Sequence, residues 1–237
     1  KRDYIVSNKK IEDTGWGPIF SLDDGIVELI KTYKQESNNA FNSISNSSIV
    51  DFVNLIIKAY KSENKVFACG NGGNVASVQN LVLDLNMHPF VSEDKSSRKG
   101  KRNKFQAISL CDSSAAITGM TNDIGFENIF AEQLKYQANR GDILFAMSGS
   151  GSSKNIVEAL KVAREIGMIC VVMTRNFNTK SDEYADLVLR ITSPNSIFPG
   201  QTGGNNNNFH YEDCISKISH IAVGILKQYV ENENKPK

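Results

Sequence analysis

The sequence predicts an α/β fold: a three-layer αβα sandwich on a doubly wound, five-stranded parallel sheet, with added N-terminal helices. Three observations lead there. Five short apolar runs, near residues 65–69, 105–109, 143–147, 169–173 and 187–191, alternate with stretches of helical periodicity. Most residues of these runs are apolar, as in strands buried on both faces. Two of them pass directly into turns of small residues, Gly70-Asn71-Gly72-Gly73-Asn74 and Ser148-Gly149-Ser150-Gly151-Ser152-Ser153.

Taken in order, residues 1–20 mix polarity around Trp16, Gly17 and Pro18 and read as an irregular or extended lead-in. Apolar residues then recur every three or four positions over 24–43 (Ile26, Leu29, Ile30, Tyr33) and 47–62 (Val50, Val53, Ile56, Ile57, Tyr60), which predicts two amphipathic helices before the sheet. Further helices are expected near 74–86, 113–121, 126–137, 153–166 and 211–231. Two segments break the rhythm. Residues 93–104 carry Lys95, Arg98, Lys99, Lys101, Arg102 and Lys104, a pattern that suits a solvated loop or a flap attracting an anion. Residues 193–208, with Gly203, Gly204 and four asparagines, read as a flexible linker.

Composition narrows the partners. The 237 residues include 27 Lys plus Arg against 26 Asp plus Glu, so no overall field points to nucleic acid or a membrane surface. Nor does any apolar stretch approach the ~20 residues that span a bilayer. Cys69, Cys111, Cys170 and Cys214 are scattered in or beside apolar runs without paired spacing, as small core residues of a reducing compartment. The cytoplasm is the expected location, although the chain opens on Lys1 and a removed targeting segment stays open.

The two turns suggest a ligand. Small residues between a strand and a helix let backbone amides and hydroxyls converge on an anion at the helix N-terminus, so a phosphorylated small molecule comes first. Neither turn carries the P-loop Gly-Lys-Ser/Thr signature or the Gly-x-Gly-x-x-Gly spacing of dinucleotide sites. Ordinary tight turns of an α/β sheet remain the plainer alternative.

Several motifs in order carry a resemblance: Gly70 to Asn74; Cys111-Asp112-Ser113-Ser114 followed by Thr121-Asn122-Asp123-Ile124-Gly125-Phe126; Arg140-Gly141-Asp142-Ile143-Leu144; and Ser148 to Asn155. Over about residues 45–230 the chain resembles the sugar isomerase (SIS) domain family, in particular its phosphoheptose isomerase branch. The resemblance implies a five-stranded parallel sheet, a homotetramer and active sites built between subunits. It also implies an N-terminal extension and helical arm at 1–44, the SIS domain at 45–232 and a disordered tail at 233–237. It places Asn71, Gly72 and Gly73 on the substrate, Asn122 and Asp123 near sugar hydroxyls, and Ser148, Gly149, Ser150 and Ser153 around the phosphate.

For the chemistry, the family uses a carboxylate on the helix after the first turn and a histidine on the last helix, often with zinc. Here Asp84 replaces the usual Glu, Asn80 replaces a metal-ligating His, Glu212 stands for a Gln, and His220 follows at the expected eight-residue spacing. Asp84, His220 and Glu212 are therefore the candidate catalytic residues. Asp84, Glu212, His220 and Asn80 are the candidate ligands of a divalent metal such as zinc, whose binding stays open; no other cofactor is implied. An amide is a poorer zinc ligand than imidazole, and Asp is one methylene shorter than Glu. Asp84 also suits a solvent-facing position, and His220 a structural histidine among Ile215, Ile218, Ala222, Ile225 and Leu226; His88 and His210 read as incidental. Phe209 stands where the family tends to offer an acid.

The function implied is an aldose-ketose isomerase acting on a phosphosugar such as sedoheptulose 7-phosphate, by proton abstraction beside a carbonyl and an enediol intermediate. The alternative is a non-catalytic sugar-phosphate-binding regulatory or assembly protein of the same fold. A nucleic-acid role for 95–104 is weaker, because no aromatic residues interleave its basic ones.

Overall fold

The structure is a computed structural model that describes residues 13–14, 21–97, 105–175, 177–194 and 208–233. The lead-in, most of the basic segment 95–104, most of the linker at 193–208 and residues 234–237 lie outside the described residues.

Helices α1 (Leu22–Asn42) and α2 (Asn46–Ser62) precede the sheet. Ser21 starts α1 with a capping box, its hydroxyl accepting from Asp24 N while Asp24 reaches back to Ser21 N. Then follow β1 (Val66–Gly70), α3 (Gly73–Met87), β2 (Ala107–Ser109), α4 (Ser114–Ile124), α5 (Ile129–Gln137), β3 (Ile143–Met147), α6 (Lys154–Ile166), β4 (Ile169–Thr174), β5 (Leu187–Arg190) and α7 (Phe209–Glu233). Single 3-10 turns occur at His88–Phe90, Phe126–Asn128 and Lys180–Tyr184.

All five strands are parallel, in the order β2-β1-β3-β4-β5. Successive residues of each strand face opposite layers. Ala68, Phe145, Met147, Val171 and Met173 pack against Phe52 and Ile56 of α2, Val78 and Leu81 of α3, and Ile215, Ile218 and Ala222 of α7. Phe67, Cys69, Leu144, Ala146 and Val172 pack against Phe130 and Leu134 of α5 and Ile156 and Leu160 of α6. These two apolar clusters on either side of one sheet are the three-layer αβα sandwich that the alternation of runs predicts. Each such buried Leu, Ile or Phe contributes about 1.5–3 kcal/mol over an exposed one.

Polar side chains set the register where the strands begin. Asp142, buried at the entry to β3, accepts from Lys65 N and Asn139 N, each at 2.8 Å, and so aligns the start of β1 with that of β3. Asn86 near the end of α3 donates to Ala107 O at 2.8 Å and accepts from Ala107 N at 2.9 Å, holding the short edge strand β2. Cys69, Cys170 and Cys214 are buried free thiols and Cys111 is half-buried, in agreement with their reading as core residues. No helix among the described residues is long and apolar enough to cross a membrane.

The topology fixes where a ligand belongs. β1 is followed in sequence by β2 on one side, while β3 pairs on its other side, so the strand order reverses between β1 and β3. Open α/β sheets bind ligands outside the carboxyl ends of strands at such a switch point. Gly70 and Met147, the last residues of β1 and β3, are partners in register, so the two turns of small residues emerge side by side there.

Candidate active site

The serine turn is a convergence of hydroxyls. Ser148 Oγ lies 3.4 Å from Ser150 Oγ and donates to Ser153 Oγ at 3.3 Å, and it accepts from Gly151 N at 3.2 Å. Ser153 is the N-cap of α6, yet its hydroxyl makes no capping bond to the helix. It faces the other serines instead, and the first amides of α6 stay available to an anion.

The glycine turn closes the opposite side. Asn71 and Asn155 exchange two amide hydrogen bonds, Asn71 Nδ2 to Asn155 Oδ1 at 2.9 Å and Asn155 Nδ2 to Asn71 Oδ1 at 2.8 Å. The Asn71 side chain, expected on the substrate, is thus engaged with Asn155 and joins the two turns. Gly72 is the N-cap of α3 and provides no side chain there. A Cβ on Gly149 would collide with Asn208, so only glycine permits that approach.

Together these residues enclose a cavity of about 140 Å³ lined by Asn71, Asn74, Met147, Ser148, Gly149, Ser150, Ser153, Arg175 and Asn208. Among the described residues, buried Asn74 Oδ1 and Asn208 Oδ1 have no hydrogen-bond partner. Asn155, Arg175 and Asn208 were not legible as site residues: Asn155 reads only as a motif end, and Arg175 and Asn208 follow no phosphate signature.

A second cluster lies further along α3. Asp84, whose side chain is 10% exposed, has Oδ1 3.2 Å from His88 Nε2 and Oδ2 3.6 Å from His220 Nε2. Asn80 Nδ2 lies 3.4 Å from both Asp84 Oδ2 and His220 Nε2. The i, i+4 spacing of Asn80, Asp84 and His88 puts them on one helix face. Asp84 and His220 meet as the spacing suggests. His88, expected to be incidental, is the shorter of the two imidazole contacts. His210 is buried and stacks on Tyr33, with ring centroids 4.4 Å apart.

Glu212 stands apart from this cluster. Its carboxyl oxygens lie 2.5 Å from where a Cβ on Gly73 would be, so they cover the first residue of α3. Burial, with repulsion from Asp213 second, raises its carboxyl above the usual range. His220 lies eight residues further along α7, roughly 12 Å by helical rise.

The residues do not fit a zinc ion shared by Asn80, Asp84, Glu212 and His220. Glu212 is placed at Gly73, Asn80 turns its NH2 donor toward Asp84 and His220, and no three His, Cys, Asp or Glu among the described residues are arranged to hold a metal. Asn122 and Asp123 lie exposed at the end of α4, joined by a 2.9 Å bond, and do not line the cavity of the same chain.

Comparisons with known proteins agree with this architecture. Residues 32–175 match the family model described as the SIS domain. The phosphoheptose isomerase of Sodalis glossinidius is 30% identical over 208 residues, covering 84% of this chain and 94% of that protein. The phosphoheptose isomerase of Helicobacter pylori is 29% identical over 172 residues, 73% of this chain and 84% of that one. Among solved structures, a phosphoheptose isomerase from Neisseria gonorrhoeae superposes with a TM-score of 0.71 at 21% identity, over 88% of this chain and all of the other.

Proposed function

Because this chain belongs to the SIS domain family, in its phosphoheptose isomerase branch, we propose that it is a phosphosugar isomerase whose serine turn holds the phosphate while Asp84 and His220 move protons at the far end of the sugar. The observation that carries the catalytic assignment is a mostly buried carboxylate held between two imidazoles on the helix that starts at the cradle. Asp84 takes the proton from the carbon beside the carbonyl, His220 protonates the carbonyl oxygen to give the enediol, and the reverse transfers at the neighbouring carbon complete the exchange. The phosphoheptose isomerase relatives do not favour a non-catalytic binder.

The spacing supports a long substrate. Asn74 lines the cradle, and Asn80 and Asp84 follow six and ten residues later on the same helix, roughly 9 and 15 Å by helical rise. An extended covalent chain advances about 1.2 Å per bond, so the eight bonds from C1 to phosphorus in a heptulose 7-phosphate cover about 10 Å, the rise to Asn80, with the side chain of Asp84 left to reach back toward it. A triose ester covers only about half of that. Sedoheptulose 7-phosphate is therefore the substrate to test.

The active unit is a homotetramer in the cytoplasm. Leu83 and Met87, 59% and 46% exposed, share the outward face of α3 with Asn80 and Asp84, and Ile225 of α7 is 40% exposed. A second copy covering this face buries them and shields the proton-transfer cluster from water. Asn122 and Asp123 then serve sugar hydroxyls in a neighbouring copy's site.

Purified protein with sedoheptulose 7-phosphate, followed for aldose formation with and without added zinc, tests the reading. Asp84→Asn and His220→Ala are expected to lower kcat by about 100-fold or more while phosphate binding persists. Wild-type protein that binds the ester without turnover under every condition would sink it.

A further inference from the structure

The cradle holds one group that none of the phosphate motifs includes. Arg175 follows β4 directly and is 5% exposed. Its position is set by main chain: Arg175 N donates to Gly149 O at 3.1 Å, and the neighbouring Thr174 Oγ1 donates to the same oxygen at 3.3 Å, so the end of β4 is tied to the serine turn. Among the nine described residues that line the cavity, Arg175 is the single charged one, and none of them is an Asp or Glu.

The remaining wall consists of neutral groups. Serine hydroxyls and amides donate to any oxygen, including those of an unphosphorylated sugar, so they discriminate weakly by charge. A guanidinium remains charged under all ordinary conditions and presents a planar fork that matches two phosphate oxygens. The side chain is poorly solvated, and that burial lowers its pKa from the usual value, with Tyr211 partly offsetting the effect. In such surroundings a bound dianion is screened little by salt.

We propose that Arg175 is the specificity-determining residue of the cradle, supplying the positive charge that selects a phosphate monoester over a neutral sugar. The proposal rests on the cradle reading above and adds to it a residue from a different strand. Arg175 lies outside the Asp84 cluster, so it acts on binding of the ester rather than on proton transfer.

Calorimetric titration of the full chain with inorganic phosphate, sedoheptulose 7-phosphate and unphosphorylated sedoheptulose tests it. Arg175→Met is expected to weaken phosphate and the ester by about 30-fold or more and to leave the neutral sugar unchanged. Arg175→Lys retains the charge but not the fork and falls between. KM should rise with phosphate Kd while kcat at saturation stays within about threefold. Arg175→Met binding phosphate within about threefold of wild type overturns the role of Arg175 and leaves the cradle standing; wild-type protein that binds neither phosphate nor ester overturns both. Should both variants fail to fold, wild-type crystals soaked in phosphate decide. A guanidinium nitrogen about 3 Å from a phosphate oxygen supports the proposal, and phosphate held by the serines with the guanidinium beyond about 4 Å overturns it.

Discussion

Asn71 and Asn155 bind each other through both ends of their amides, at 2.9 and 2.8 Å, across the point where the strand order reverses. Asn155 is 1% exposed, and its removal deprives the half-buried Asn71 amide of both of these bonds. Asn155→Ala is expected to cost about 2 kcal/mol in urea unfolding, and to weaken phosphate binding as the two turns drift apart. Asn155→Asp keeps one bond but opposes two oxygens, and should cost at least as much. An alanine variant as stable as the parent would show that the pair is ornamental to the fold.

Glu212 makes a prediction in which pH sets the sign. Burial raises its carboxyl above the usual range, so the protonated form favours the folded chain. That contribution is complete below the unfolded value of about 4.3 and disappears as pH climbs through the higher folded value. Glu212→Gln keeps the neutral form at every pH. The variant should melt above the parent at pH 7 and match it at pH 4. An equal gap at both pH values would trace the effect to something other than charge.

How much of this was legible beforehand follows from what each feature depends on. Strands such as Ile143–Met147 are apolar at every position because both faces are buried, and that pattern is local to the sequence. The helix after each turn is equally local, as is the i, i+4 spacing of Asn80 and Asp84. Arg175 and Asn208 enter the cavity only because β4 and α7 end beside β3, a matter of strand order rather than of spacing. The separation of Glu212 from His220 is likewise not local, since a contact across two helices depends on how α3 and α7 pack. His88 looked incidental because its partner is contacted around the end of α3, just before Pro89 interrupts the helix.

Gly73 and Glu212 form a pair whose energetics and chemistry should part company. A Cβ at Gly73 meets only the far end of a flexible side chain, which can swing away, so Gly73→Ala should cost less than about 1 kcal/mol in stability. It nevertheless evicts the carboxylate from the start of α3. Its kcat/KM should therefore fall about as far as that of Glu212→Ala, and the double variant should be no worse than Glu212→Ala alone. Additive losses would mean that Gly73 and Glu212 act independently.

His88 offers the sharpest comparison within the proton-transfer cluster. Its side chain is 68% exposed and Asp84's is 10% exposed, so removing the imidazole leaves the packing of α3 intact while depriving Asp84 Oδ1 of its nearest partner. If that contact orients the carboxylate toward substrate, His88→Ala lowers kcat by about tenfold, with KM, phosphate affinity and melting temperature unchanged. His88→Gln, which keeps a donor on a chain of similar reach, should recover part of the loss. Steady-state kinetics of the two variants beside wild type checks this, and a kcat for His88→Ala equal to the parent's returns His88 to the incidental role that its place in the sequence suggested.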